Sequence, residues 1–160
     1  MQDYHFRSLR EDDLDWIARF ECEIAASSFG NEAVTDLAFH KKRLSVSLGR
    51  QGAIVAETDR GDIVGWALVS SRQNAVSGEV YGDFRSLFIV PEHRGGKLAF
   101  SLLSEVIDYG LRNEWTRLVG RTAANNKAMQ AIYRIFQFEA RHITYELSLK
   151  MPEAKTKDRK

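Results

Sequence analysis

A chain of 160 residues is long enough to bury a core of its own and short for two domains. Its 44% apolar and 28% charged residues are globular rather than disordered composition. Lys plus Arg number 23 and Asp plus Glu 22, so the formal charge of +1 removes the electrostatic case for a dedicated nucleic-acid binder.

Residues 4–9 alternate and predict a first strand, with Asp12 or Asp13 placed to cap the helix after it. Leu14, Ile17, Ala18, Ile24 and Ala25 form that helix's apolar stripe. A loop composition at 27–31 leads to a second helix over 35–48, carrying Leu37, Phe39, Leu44 and Leu48. The period then changes. Apolar runs at 53–57 and 63–69 flank Asp59, Arg60, Gly61 and Asp62, the turn chemistry of a hairpin.

Residues 79–90 read as a long strand that Pro91 stops, because proline cannot donate to a ladder. Gly95 and Gly96 open a helix with the stripe Leu98, Leu102, Leu103, Val106 and Ile107. A short strand at 117–121 precedes a helix capped by Asn125 or Asn126 and bearing Ala128, Ile132, Ile135 and Phe136. The alternation Ile143, Tyr145, Leu147, Leu149 predicts a last strand over 138–149. Residues 1–150 are expected to form one domain and 151–160 a basic, disordered tail. The order β-α-α-β-β-β-α-β-α-β is an α/β arrangement with a mixed sheet.

No apolar run exceeds four residues, far short of the ~18 that span a bilayer, and no basic-then-apolar leader opens the sequence. Cys22 stands alone, which forbids an intramolecular disulfide and a cysteine-based zinc site. These features lead us to expect a cytoplasmic protein with no membrane or nucleic-acid partner; a homodimer is compatible with them.

The most informative segment runs from Val90 through Arg94, Gly95, Gly96, Lys97, Leu98 and Ala99. A buried strand feeds a glycine turn that opens a helix, so free N–H groups and the positive helix end face one spot. That suits a phosphate, and Arg94 and Lys97 add charge. A plain strand-to-helix turn needs the same glycines, so the turn alone leaves both readings open. It has neither GxGxxG nor P-loop spacing.

The run from Arg94 to Ala99 resembles the R/Q-x-x-G-x-G/A signature of GCN5-related N-acetyltransferases (GNAT). Residues 126–138 resemble that family's N-x-x-A-x-x-L-Y-x-x-x-G-F segment, with Asn126, Tyr133 and Phe138 in register. Three departures stand out: Lys97 and Gln137 replace glycines, and Met129 replaces an alanine. The resemblance implies a mixed, mostly antiparallel sheet flanked by helices. It implies acetyl-CoA as co-substrate, no metal, and an amine that attacks the thioester directly.

By that resemblance Arg94, Gly95, Gly96, Lys97, Leu98, Ala99 and Asn126 belong to the cofactor site. Backbone N–H groups near Phe88, Ile89 and Val90 would polarise the thioester carbonyl. Tyr133 would protonate the departing thiolate, packing on the core being the alternative. Asp83 and Glu79 are the candidate bases for the amine, unless both are solvated carboxylates and water serves.

His5, His40, His93 and His142 show no metal-ligand spacing. The acceptor is expected to be a small-molecule primary amine, an amino sugar being one candidate. The rival is a non-catalytic acyl-CoA-binding sensor or partner module of the same fold.

Overall fold

The structure, a computed structural model, describes residues 3–150; the basic tail lies outside them. A five-stranded sheet runs in the order β1-β2-β3-β4-β5, formed by Tyr4–Ser8, Ala53–Thr58, Ile63–Gln73, Val80–Ile89 and Leu118–Gly120. The first four are antiparallel neighbours. β4 and β5 are parallel, joined by a helix crossover. The helices are α1 (Leu14–Phe29), α2 (Leu37–Ser45), α3 (Lys97–Arg112) and α4 (Lys127–Ile135). No described helix is long and apolar enough to cross a membrane.

Two apolar layers cover the sheet. Leu98, Leu102, Leu103 and Val106, all with no exposed surface, carry α3 onto Ile54, Ala67, Val69 and Phe84. On the other layer Ile17, Ala18 and Phe20 of α1 and Leu44 of α2 pack against Ala53, Val55 and Trp66. Alternation along β2 and β3 divides their side chains between these layers. Asp13 stands at the N-cap position of α1, but without the side-chain bond to the helix expected there. Its carboxylate takes the Arg10 N–H at 2.8 Å and two Arg7 N–H groups at 2.7 and 3.0 Å. Arg7 also reaches Glu57 at 2.8 Å, tying β1 to both β2 and the start of α1.

The predicted last strand is a correction. Among the described residues, 139–150 form no strand, and Ile143, Tyr145, Leu147 and Leu149 are 75–88% exposed. Alternation sets which side chains share a face, but a strand also needs a ladder partner. The edge nearest in sequence, β5, is three residues long.

Candidate active site

β4 is paired on both sides over only part of its length. Its register with β3 runs from Val80 to Ile89, but β5 meets it only at Gly82, Asp83 and Phe84. Among the described residues no strand borders it on that side from Arg85 onward. A bulge marks the change: Ser86 opposes Leu68 and Phe84 opposes Val69, leaving Arg85 as an extra residue. Bulges bend their strand and increase its twist, and this one follows directly on the last β4–β5 pair.

One hydrogen bond gives the peptide directions in the open half. The Val90 N–H donates to the Val64 carbonyl at 3.1 Å, so it points toward β3. Successive peptide groups alternate, which aims the Ile89 N–H and C=O at the open side. The Ile89 carbonyl accepts from Arg94 Nε at 2.8 Å, on that side. Of the three N–H groups expected to polarise a carbonyl, Val90's is therefore committed to the sheet. Phe88's faces the same way, and Ile89's is the one directed into the opening.

Arg94 is held by that carbonyl, with its guanidinium carbon 5.4 Å from the Phe88 ring centroid. The turn after it passes through Gly95 at φ +75°, a left-handed conformation that favours glycine, and a Cβ there would meet nothing within 4 Å. Gly96 caps α3 without any side-chain bond, so the first N–H groups of the helix keep no capping partner from it. Lys97 starts the helix with an exposed side chain, Leu98 is buried beneath the turn, and Ala99 is half-buried. Replacing the family's glycine with Lys97 therefore leaves the helical backbone intact.

Asn126 caps α4, its side-chain oxygen accepting the Met129 N–H at 3.0 Å. At the other end Gln137 adopts φ +62°, keeping the left-handed conformation of the glycine it replaces. The Phe138 N–H then reaches the Tyr133 carbonyl at 2.9 Å and the Gln137 N–H the Arg134 carbonyl at 3.0 Å, a Schellman closure. That closure sets the Phe138 ring 4.8 Å from the Tyr133 ring. Phe84 approaches Tyr133 edge-on at 6.4 Å.

The Tyr133 hydroxyl end lies directly against Gly120. A Cβ on Gly120 would stand 2.6 Å from Tyr133 Cζ and 2.9 Å from Cε1. Gly120 pairs with Phe84 in the last rung before the strands part, so the phenol sits at the root of the opening. Burial pushes its pKa up to about 12, and it keeps its proton at neutral pH.

Asp83 is 4% exposed and paired through both oxygens, to Arg72 Nε at 2.9 Å and Arg121 Nη1 at 3.1 Å. Glu79 accepts from the Thr116 hydroxyl at 2.6 Å and pairs with Arg117. The Thr116 bond and the Arg117 charge hold its carboxyl below the ordinary glutamate range. Both candidate bases thus already have partners. Gly120, Arg85, Arg72 and Arg121 were not singled out from sequence. For Gly120 a signal existed, since glycine inside a strand marks close approach. A cavity of about 380 Å³ at the β2–β3 turn is lined by none of the predicted site residues.

A sequence model of the Acetyltransferase (GNAT) family matches residues 13–138. No curated protein matches the chain in sequence. Among solved structures, a ribosomal-protein-alanine N-acetyltransferase from Brucella melitensis biovar Abortus 2308 superposes with a TM-score of 0.69 at 19% identity, over 91% of this chain and 99% of that one. An aminoglycoside N-acetyltransferase in complex with CoA gives 0.70 at 19%, over 92% and 96%. An aminoglycoside antibiotic 6'-N-acetyltransferase from Acinetobacter baumannii gives 0.70 at 15%, over 94% and 100%. At these identities the likeness is one of fold.

Proposed function

Because the chain belongs to the Acetyltransferase (GNAT) family, we propose that it moves the acetyl group of acetyl-CoA to a primary amine on a small molecule, by direct attack while both are bound. The carrying observation is the placement of the Tyr133 hydroxyl against Gly120, where β4 and β5 separate. A protonated phenol at the root of the opening and an outward N–H of Ile89 further along the same edge of β4 supply an acid and a carbonyl-polarising donor.

The residues fit the cofactor. Gly95 leaves open space beside the turn, α3 begins without a side-chain cap, and Arg94 and Lys97 stand on either side of the two glycines. Such a turn holds a pyrophosphate through backbone N–H groups and charge. When bound, acetyl-CoA supplies an activated thioester with a thiolate leaving group. Tyr133 holds a proton at its hydroxyl for that sulfur. The Ile89 N–H stabilises negative charge on the carbonyl oxygen.

Asp83 remains our candidate to take the amine's proton, with Glu79 and water behind it. Replacing Asp83 with Asn separates the roles. A pH–rate profile moved toward the amine's own pKa marks a base; a pH-independent loss marks an anchor for Arg72 and Arg121.

The experiment is thermal stabilisation by acetyl-CoA and desulfo-CoA, followed by thiol release with a panel of amines. Both ligands should raise Tm, because they bind the native state only. Arg94→Ala should raise KM for acetyl-CoA about tenfold while kcat at saturation holds, as expected for a contact made equally in ground and transition states. No Tm shift at millimolar CoA removes the cofactor. Stabilisation without thiol release from any amine favours the acyl-CoA-binding module.

A further inference from the structure

Arg85 belongs to two features at once. It is the bulge residue at which β4 leaves β5, and it lines a cavity of about 50 Å³ between the sheet and the α1–α2 pair. Glu21 of α1 and His40 and Arg43 of α2 line the same cavity. A space of that size takes one small polar group or a water or two.

His40 indicates what kind of group. It is 3% exposed, and its Nε2 lies 2.6 Å from the Val34 carbonyl oxygen. A carbonyl oxygen only accepts, so Nε2 carries a hydrogen, and in its uncharged form the ring presents a lone pair at Nδ1. Among the described residues that buried Nδ1 has no partner. A ligand N–H or O–H would satisfy it.

The cavity's charges narrow the ligand further. Glu21 is held in place, its Oε1 accepting from the wholly buried Trp66 at 2.7 Å. Arg43 lies over the Phe39 ring at 5.6 Å. Among the described residues, none of the ion pairs neutralises Arg43 or Arg85. Two guanidiniums against one engaged carboxylate favour an anion and repel a polycation.

We infer that this cavity anchors the acceptor, and that the acceptor is an amine also carrying a carboxylate or phosphate. Arg85 and Arg43 grip the anionic group, and an N–H or O–H of the same molecule donates to His40 Nδ1. This names the acceptor class for the acetyltransferase reading and rests on it.

The test is calorimetric titration of the protein saturated with desulfo-CoA, so that nothing turns over. The probes are an α-amino acid, its uncharged amide, an aminoalkyl phosphate and a polyamine, with thiol release from acetyl-CoA as a second readout. An anionic probe should bind at least about tenfold tighter than the amide and the polyamine. Whichever anionic probe is tighter identifies the group as carboxylate or phosphate. Arg85→Gln should bring that ratio to within about twofold and leave desulfo-CoA affinity unchanged. His40→Gln can keep a donor for Val34 but carries its acceptor on an amide oxygen away from the Nδ1 position, and should weaken the anionic probe about fivefold. Amide or polyamine binding as tightly, a ratio indifferent to Arg85→Gln, or no anionic probe binding each overturns the inference. Failure of desulfo-CoA itself to bind, with no thiol released, instead sinks the acetyltransferase reading beneath it.

Discussion

Strand β4 is bordered by two strands over residues 82–84 and by one over 85–89. The bordered half is packed to the limit: a Cβ on Gly82 would stand 2.6 Å from Trp115 Cζ3 and 2.8 Å from Leu118 Cδ1. The open half begins at a bulge and ends in a glycine turn, and the outward Ile89 carbonyl is taken by Arg94. A ladder that stops early leaves polar backbone in need of partners, and a ligand is the partner that such an edge suits. The first half sustains the sheet. The second is where chemistry has room.

The comparison breaks most visibly at Tyr133. Tyr133→Phe should lower kcat by about 10²- to 10⁴-fold while acetyl-CoA affinity and Tm stay close to the parent, because the ring packing survives. Full activity in that variant would leave Tyr133 as packing alone. A pH series sharpens the point. Burial raises the phenol from the ordinary ~10 to about 12, so the unfolded chain gives up this proton first as pH rises. The associated stability is whole below about pH 10 and is lost as pH climbs through 12. The Phe variant should lack that contribution.

Gly120→Ala should reach a similar end by a different route. The new methyl displaces the phenol from the root of the opening, and kcat should drop by about 10²-fold with a fall in Tm as well. Added to Tyr133→Ala, which clears the space, Gly120→Ala should cost little more in either measure.

Gly82→Ala attacks the bordered half. It forces Trp115 and Leu118 to shift, so unfolding in urea should lose about 1–3 kcal/mol, with kcat per folded molecule nearly unchanged. A selective loss of kcat instead would mean that the two halves are coupled.

The smallest effect is expected at Gln137, a non-glycine residue at φ +62°. Gln137→Gly should stabilise by about 1 kcal/mol, read in the same urea transitions, because it relieves left-handed strain in the Schellman closure behind Tyr133. Destabilisation would show that the Gln side chain contributes more than its backbone costs.

Much of the fold was legible before the structure. Leu98, Leu102, Leu103 and Val106 announced the buried face of α3 through their spacing, and all four have no exposed surface. The hairpin at Asp59 to Asp62 and the end of β4 at Pro91 were local turn chemistry. Asn126 was legible as a cap because capping spans a few residues. Asp13 was legible as the N-cap position of α1 but not in its bonding: its carboxylate binds back to the Arg10 N–H and to Arg7 on another element. The final strand failed similarly, since alternation is a property of one segment and pairing a property of two.

What the sequence determined by itself was the order of elements from β1 to α4, the glycine turn before α3 and the cap at Asn126. Each depends on neighbours within a turn or two of chain, where backbone sterics and side-chain period suffice. The tertiary structure decided the rest. It set where β4 parts from β5, which carboxylates are already paired, that Gly120 makes room for Tyr133, and that His40 lines a cavity with Arg85. These contacts join residues far apart in sequence, and only the closing of the sheet and the packing of helices on its two faces bring them together.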